Sequence, residues 1–277
     1  ERLSSGIANF INEYNFTQFV LAIKGCGFIS RKQLNSALTL DFAYTLYLML
    51  NESGEIAKDQ IKRYVQKWFV LSILTSRYIG SPESQMDRDM RSIQEKGFVT
   101  FLAETEASAL SDTFWTVTLP QNLEISSLNS PAFNVFLAAQ VNLNCNSLFM
   151  NGLKAADLIK GAGDIHHIFP RAYLKKSGVD SRTRYNQVAN YIYLDTQVNK
   201  AISDDAPCVY FKKAVEQCET KAYALGNITD AGLLRANLAE NCIPESVMDM
   251  DASRYDEFLA ERRKLMAALV RRYYMGL

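Results

Sequence analysis

Residues 164–170 read Asp-Ile-His-His-Ile-Phe-Pro, and this stretch decides which fold and chemistry the sequence predicts. Its β-branched and aromatic residues favour a short strand that stops by Pro170, because proline cannot donate to a sheet ladder. His166 and His167 are the only two histidines in the chain. Neighbouring residues on a regular strand point to opposite faces, so both can serve one site only if the strand ends or bulges there.

Outward from this stretch, the sequence predicts a strand, a loop, a second strand and a helix. The second strand is expected at 190–194, Asn-Tyr-Ile-Tyr-Leu, after a polar and basic loop over 175–185. The run Ser-Asp-Asp-Ala-Pro at 203–207 predicts the start of a helix, with Asp205 as its N-cap.

The rest of the chain has helical signals. Only 6 of its 277 residues are Pro and 13 are Gly, while 48% are hydrophobic, which is enough for a substantial core. Helical spacing predicts one buried face for Ile61, Val65, Trp68 and Leu71. The pairs Ser81-Pro82 and Ser130-Pro131 predict helix starts, and Ser253 with Asp256 predicts an acidic capping box for a C-terminal helix. We therefore expect a mainly α protein, with a helical scaffold at 1–150 and a second domain at 151–277.

Composition excludes several classes of protein. The 30 basic and 30 acidic residues cancel, so binding to nucleic acid through bulk positive charge is excluded and any such contact must be local. Five cysteines without a C-x-x-C pair fit neither a disulfide framework nor a structural zinc site, which predicts a reducing compartment such as the cytoplasm. Because no apolar stretch is long enough to span a bilayer, we expect no membrane partner.

The histidine pair and two asparagines suit hydrolysis of phosphodiesters. An imidazole can take a proton from water near neutral pH, and a divalent ion held by nitrogen or oxygen ligands can neutralise charge on the phosphate. The residues predict His167 as the base and His166 as a ligand. Asn190 and Asn199 supply amides on the hairpin and after it.

Three segments carry a resemblance to a known family. They are D-I-H-H-I-F-P-R-A-Y-L at 164–174, Y-N-Q-V-A-N-Y-I-Y-L at 185–194 and N-K-A-I-S-D-D-A-P at 199–207. Together they resemble the site of HNH (ββα-metal) endonucleases. More specifically, they resemble the C-terminal nuclease domain of GmrSD-type, modification-dependent restriction enzymes and related phage-defence nucleases. The strong part of the match covers about residues 160–213. The fold it implies is a helical bundle with an inserted ββα-metal hairpin-helix module.

The resemblance implies a role for each matching residue. His167 matches the general base, and His166 matches the adjacent metal ligand. Asn190 matches the asparagine that ties the two strands and holds the base in place. Asn199 matches the last metal ligand, and these donors imply a single Mg²⁺ or Mn²⁺ ion.

The same resemblance implies DNA as the substrate and anti-phage defence in a prokaryote as the role. An excess of basic over acidic residues at 164–213 suits contact with phosphates, for which the candidates are Arg171, Lys175, Lys176, Arg182 and Arg184. The usual partner in this family is an N-terminal NTPase that senses modified DNA. Since no P-loop or D-G-Q-Q-R-like run occurs here, we expect that sensor in a missing portion or in another chain.

Alternative interpretations stay open at this stage. The hairpin could be the scaffold of a DNA-binding or assembly module that does not cleave, or the nuclease could act on RNA. The histidines could be structural, Asn190 a turn residue and Asn199 a helix C-cap. Asp164 could assist the metal or simply face solvent.

Overall fold

The computed structural model describes residues 2–34, 36–161, 163 and 165–277. Asp164 therefore lies outside the described residues, and so does its predicted role. Within them the chain is mainly helical, with 69% helix and 3% strand, which confirms the mainly α prediction.

The first half is a succession of helices. They are α1 (Arg2–Phe10), α2 (Glu13–Gly25), α3 (Ala37–Ser53), α4 (Lys58–Leu74), α5 (Pro82–Lys96), α6 (Phe98–Ala109), α7 (Leu119–Asn122) and α8 (Pro131–Asn142). A 3₁₀ turn (Arg31–Gln33) precedes α3, and a π-helical turn (Phe114–Thr118) precedes α7.

The second half places two short strands among helices. The order is α9 (Ala155–Lys160), β1 (Ile165–His167), α10 (Arg171–Lys176), α11 (Arg182–Tyr185), β2 (Tyr191–Tyr193), α12 (Thr196–Ile202), α13 (Pro207–Thr220), α14 (Ala231–Glu240) and α15 (Tyr255–Gly276). Three 3₁₀ turns, Val188–Asn190, Glu245–Asp249 and Ala252–Arg254, complete it. Helices α10 and α11 occupy most of the segment that the sequence predicts as a loop.

Helix α4 shows why apolar spacing predicts the helical half well. Ile61, Val65, Trp68 and Leu71 recur on one face of this helix and are all at most 1% exposed. Trp68 packs against Phe101 of α6, with ring centroids 5.0 Å apart, and its indole N–H donates to the Tyr78 hydroxyl at 3.1 Å. Burial of this face against α3 and α8 stabilises the bundle.

Helix α15 connects the two halves of the chain. It packs against α7 and α8 and against the 3₁₀ turn Val188–Asn190. The Tyr273 hydroxyl donates to the Cys26 carbonyl at 2.5 Å, across 247 residues of sequence. The hydrophobic core is continuous across residue 150. The division into domains at 1–150 and 151–277 stays a prediction.

Two predicted helix starts are confirmed and two predicted caps are wrong. Helices α5 and α8 begin at Pro82 and Pro131 as predicted, and Ser130 accepts from the backbone of Phe133. In contrast, Asp205 does not cap α13, which starts after Ala206, because its carboxylate pairs with Lys213 at 2.6 Å.

The predicted capping box at α15 is also absent. Asp251 accepts from the backbone N–H of Ser253 and caps the short 3₁₀ turn ahead of the helix. Asp256 lies inside the first turn of α15, where it pairs with Arg184. Asp251 thus acts as an N-cap, at the 3₁₀ turn, where the sequence pattern predicted that Ser253 would do so.

Among the described residues, the structure contains no helix that combines the length and the apolar character needed to cross a bilayer.

Candidate functional site

The two strands form an antiparallel hairpin that carries the histidine pair. Ile165 pairs with Tyr193, His166 with Ile192 and His167 with Tyr191. The ladder stops after His167, where the backbone N–H of Ile168 donates to the Asn190 carbonyl at 2.9 Å. Both strands lie within the predicted segments and are shorter.

The two histidines start from opposite faces of this hairpin. Alternation along the strand puts Ile165 and His167 on one face and His166 on the other. Both are partly buried. Because β1 ends at His167, the residues that follow are free to turn away into α10. The strand thus ends directly after the histidine pair, and a site shared by both side chains stays a prediction.

The His167 ring is held between aromatic and amide side chains. Its centroid lies 5.1 Å from the ring of Tyr191 and 6.5 Å from that of Tyr185, both edge-on. Its Nε2 atom lies 2.9 Å from Oδ1 of Asn186. Because an amide oxygen can only accept, this pair requires a proton on Nε2, which leaves the lone pair on Nδ1.

Burial also sets the protonation of this imidazole. Desolvation lowers the pKa of His167 below its ordinary 6.5, the Asn186 hydrogen bond opposes the shift, and the nearby Arg171 and His166 add to the lowering. The ring is therefore neutral at pH 7. A neutral imidazole with its lone pair on Nδ1 can accept a proton from water at that atom.

Asn190 holds the backbone of the hairpin rather than the imidazole. Its side chain is fully buried. Its Oδ1 accepts from the Phe169 N–H at 2.7 Å, and its Nδ2 donates to the carbonyls of Phe169 and Tyr185 at 3.1 and 3.2 Å. These bonds join the segment after β1 to the segment before β2. The side chain hydrogen-bonded to the His167 ring is that of Asn186, which the sequence did not single out.

Arg262 of α15 anchors the same segment from behind. Its guanidinium is fully buried. Nη1 donates to the carbonyls of Ala189 and Tyr191, both at 2.8 Å, and Nη2 donates to the Asn241 carbonyl at 3.4 Å. Burial lowers the pKa of Arg262 to about 10, so it remains a cation at pH 7. The carbonyls on either side of Asn190 are thus tied to the longest helix.

Asn199 lies on α12, which follows β2 directly. Its side chain is half-buried and makes no hydrogen bond with the described residues. Within the described part of the chain, no group of three or more His, Cys, Asp or Glu side chains is placed to hold a metal ion. The predicted ligand pair, His166 and Asn199, has only two members and includes an asparagine, so it is not a group of that kind.

The five basic residues predicted to contact phosphates differ in how they are paired. Lys176 forms an ion pair with Asp204, and Arg184 pairs with Asp256 at 3.0 Å. The Lys175 ammonium lies 5.3 Å from the centroid of the Tyr185 ring. The exposed Arg171 and Arg182 make no ion pair with the described residues, which leaves them best placed to meet an anion.

Comparison with known proteins gives one distant similarity. The chain is 26% identical over 156 residues to an uncharacterised protein of Methanocaldococcus jannaschii, an alignment that covers 55% of this chain and 25% of that protein. The chain thus spans about a quarter of the length of this relative. No protein-family model matches the chain, and no solved structure matches it.

Proposed function

We propose that the chain is a metal-dependent endonuclease of the HNH type, with His167 as its general base. The observation that supports this most directly is the His167–Asn186 pair on a hairpin followed by a helix. It presents a ring nitrogen with a free lone pair on a partly buried strand end. That is what abstraction of a proton from water requires.

In this proposal each neighbouring residue has a separate task. His167 takes the proton from the attacking water at Nδ1, and Asn186 fixes the tautomer and the ring orientation by accepting from Nε2. Asn190 and Arg262 hold the backbone that carries both. Asn190 is thus a positioning residue that acts through the main chain.

The donor chemistry of His166 and Asn199 fits a single Mg²⁺ or Mn²⁺ ion. An imidazole nitrogen and a carboxamide oxygen suit these ions, and the Asn199 side chain has no competing hydrogen bond with the described residues. When bound, the ion would supply positive charge against the negative charge that develops on the phosphate.

We propose DNA as the substrate, with Arg171 and Arg182 at its backbone and Lys175, Lys176 and Arg184 nearby. Phage DNA cut in the prokaryotic cytoplasm, with modification sensed by a separate NTPase domain or chain, is the role that fits the family resemblance. RNA cleavage and a binding module that does not cleave are the competing outcomes of the test below.

Plasmid cleavage tests the proposal. Supercoiled plasmid, unmodified and modified, and a structured RNA are incubated with the protein in Mg²⁺, Mn²⁺ or EDTA. We expect nicking of DNA that needs metal and that falls by at least about a hundredfold in His167→Ala, in line with loss of a general base. Circular dichroism checks that the variant is folded.

A matched pair of variants on one helix tests the ligand assignment. Asn199→Ala should lower activity and raise the Mn²⁺ concentration needed for half-maximal rate by about tenfold to a hundredfold, whereas Gln197→Ala on the exposed side of α12 should leave both unchanged. A different outcome would identify a binding module. The protein would then bind DNA without metal, bind it equally well as His167→Ala, and cleave no nucleic acid. Cleavage of RNA alone would reassign the substrate.

A further inference from the structure

A cleft of about 440 Å³ lies between the hairpin and the helical half of the chain. Its walls include Ile165 and Tyr193 from the hairpin, Phe133 and Asn134 from α8, and Lys32 from the 3₁₀ turn Arg31–Gln33. The volume is that of a pocket for a small molecule or for one group of a larger ligand.

The cleft lies on the same face of the hairpin as the His167 side chain. Ile165 and Tyr193 are cross-strand partners, and His167 and Tyr191 form the next pair on the same face, about 6.6 Å along the strand. The Phe133 ring lies 6.4 Å from that of Tyr191, which in turn contacts His167. A strand whose phosphate lies at His167 would therefore present its adjacent nucleotide to the cleft.

The chemistry of the walls suits a planar, polar group. Tyr193 is half-buried and lines the cleft, and its hydroxyl makes no hydrogen bond with the described residues. Burial raises the pKa of Tyr193, so this hydroxyl is a neutral donor at pH 7. The rim carries the amide of Asn129 and the amine of Lys32, and the described lining includes no Asp or Glu.

We propose that this cleft binds one unstacked nucleobase, next to the phosphate that is cut; the proposal rests on the proposed nuclease function. The base stacks on the Tyr193 ring, as bases do on aromatic platforms in single-strand binding proteins. Lys32, which also lines the cleft, meets the flanking phosphate. The cost of unstacking favours single-stranded or distorted substrate.

A binding experiment tests the cleft independently of cleavage. Fluorescence anisotropy gives Kd for labelled deoxythymidine strands of about 12 nucleotides and for abasic strands of the same length. Ca²⁺ replaces Mg²⁺ to prevent cutting. We expect the wild type to bind the base-containing strand about tenfold more tightly than the abasic strand, a ratio typical of one stacked base.

Variants of the cleft should bring the ratio of the two Kd values towards one and leave the Kd for the abasic strand unchanged. Tyr193→Ala should abolish the preference for the base-containing strand, whereas Tyr193→Phe, which keeps the aromatic ring, should retain most of it. Tyr223→Phe, an exposed tyrosine outside the cleft, is the matched control and should retain the full ratio.

The outcomes separate the two proposals. Equal affinity of the wild type for base-containing and abasic strands, or a Tyr193→Ala variant that binds both equally more weakly, would overturn the cleft assignment even in an active nuclease. A base-dependent ratio that Tyr193→Ala abolishes, in a protein that cuts no nucleic acid with Mg²⁺ or Mn²⁺, would support the cleft and overturn the nuclease proposal.

Discussion

The Nε2 atom of His167 lies 2.9 Å from Oδ1 of Asn186, although 19 residues separate them. Asn186 follows α11, whereas His167 ends β1. The hydrogen bonds of Asn190 to Phe169 and Tyr185 hold these two segments together. The orientation of the candidate base is thus a product of the whole hairpin.

Removing the amide of Asn186 should impair the chemical step more than binding. We expect Asn186→Ala to lower kcat about tenfold to a hundredfold, the usual cost of losing a partner that orients an imidazole, with KM nearly unchanged. Asn186→Gln, which keeps the amide, should recover part of the loss. Single-turnover cleavage measures this. Equal loss in both variants with rising KM would point to a role in substrate binding.

The pairing of the basic residues predicts different effects on DNA affinity. Arg171→Ala and Arg182→Ala should each weaken binding and reduce the slope of log K against log salt by about one, as for loss of a phosphate contact. Arg184→Ala should change both much less, because Asp256 already neutralises this residue. Titrations at several salt concentrations give these slopes. A slope unchanged in all three variants would place the DNA on another surface.

Arg262 should matter for both stability and activity. Arg262→Met leaves the buried carbonyls of Ala189, Tyr191 and Asn241 without their donor, and we expect a loss of about 2–4 kcal/mol in the free energy of unfolding. As a control, Arg235 makes a 3.6 Å ion pair with Glu245 in which both side chains are exposed. Arg235→Met should therefore cost less than about 1 kcal/mol.

Urea denaturation compares the two variants. Arg262→Lys keeps the charge but has fewer donors, so it should be intermediate in stability, and its kcat should fall while its KM is retained. Wild-type kcat in a folded Arg262→Lys would contradict the positioning role and leave Arg262 with a purely structural one.

Burial of the cysteines predicts how they react with a thiol reagent. Burial raises the pKa of Cys26 and Cys242 to about 12 and that of Cys145 to about 11. It also raises the pKa of Cys218, while Cys208 is partly exposed. Because a raised pKa removes the reactive thiolate at pH 8, native protein should label rapidly at one thiol and denatured protein at five.

Labelling of a Cys208→Ser variant provides the control for this assignment. It should show no rapid phase under native conditions and four reactive thiols after denaturation. A rapid phase that survives the substitution would mean that one of the buried cysteines is transiently accessible.

Local signals in the sequence were sufficient for several of the helices and for the position of the hairpin. Apolar spacing located the buried face of α4, and Ser130 before Pro131 located the start of α8, because these features depend on residues three or four apart. Predictions of caps failed at Asp205 and Ser253. Asp205 pairs with Lys213 and leaves α13 without a side-chain cap, whereas Asp251 caps the turn before α15.

The sequence by itself determined that the chain is mainly helical, that it has a short hairpin at the histidine pair and that His167 is the candidate base. Only the tertiary structure decided which amide meets the imidazole, which helix carries the cation behind Asn190 and that a cleft opens beside Tyr193. The physical reason is range: periodicity and capping act within a turn or two of the chain. The partners of His167 and Arg262 lie 19 to 73 residues away and meet only when the hairpin packs against α15.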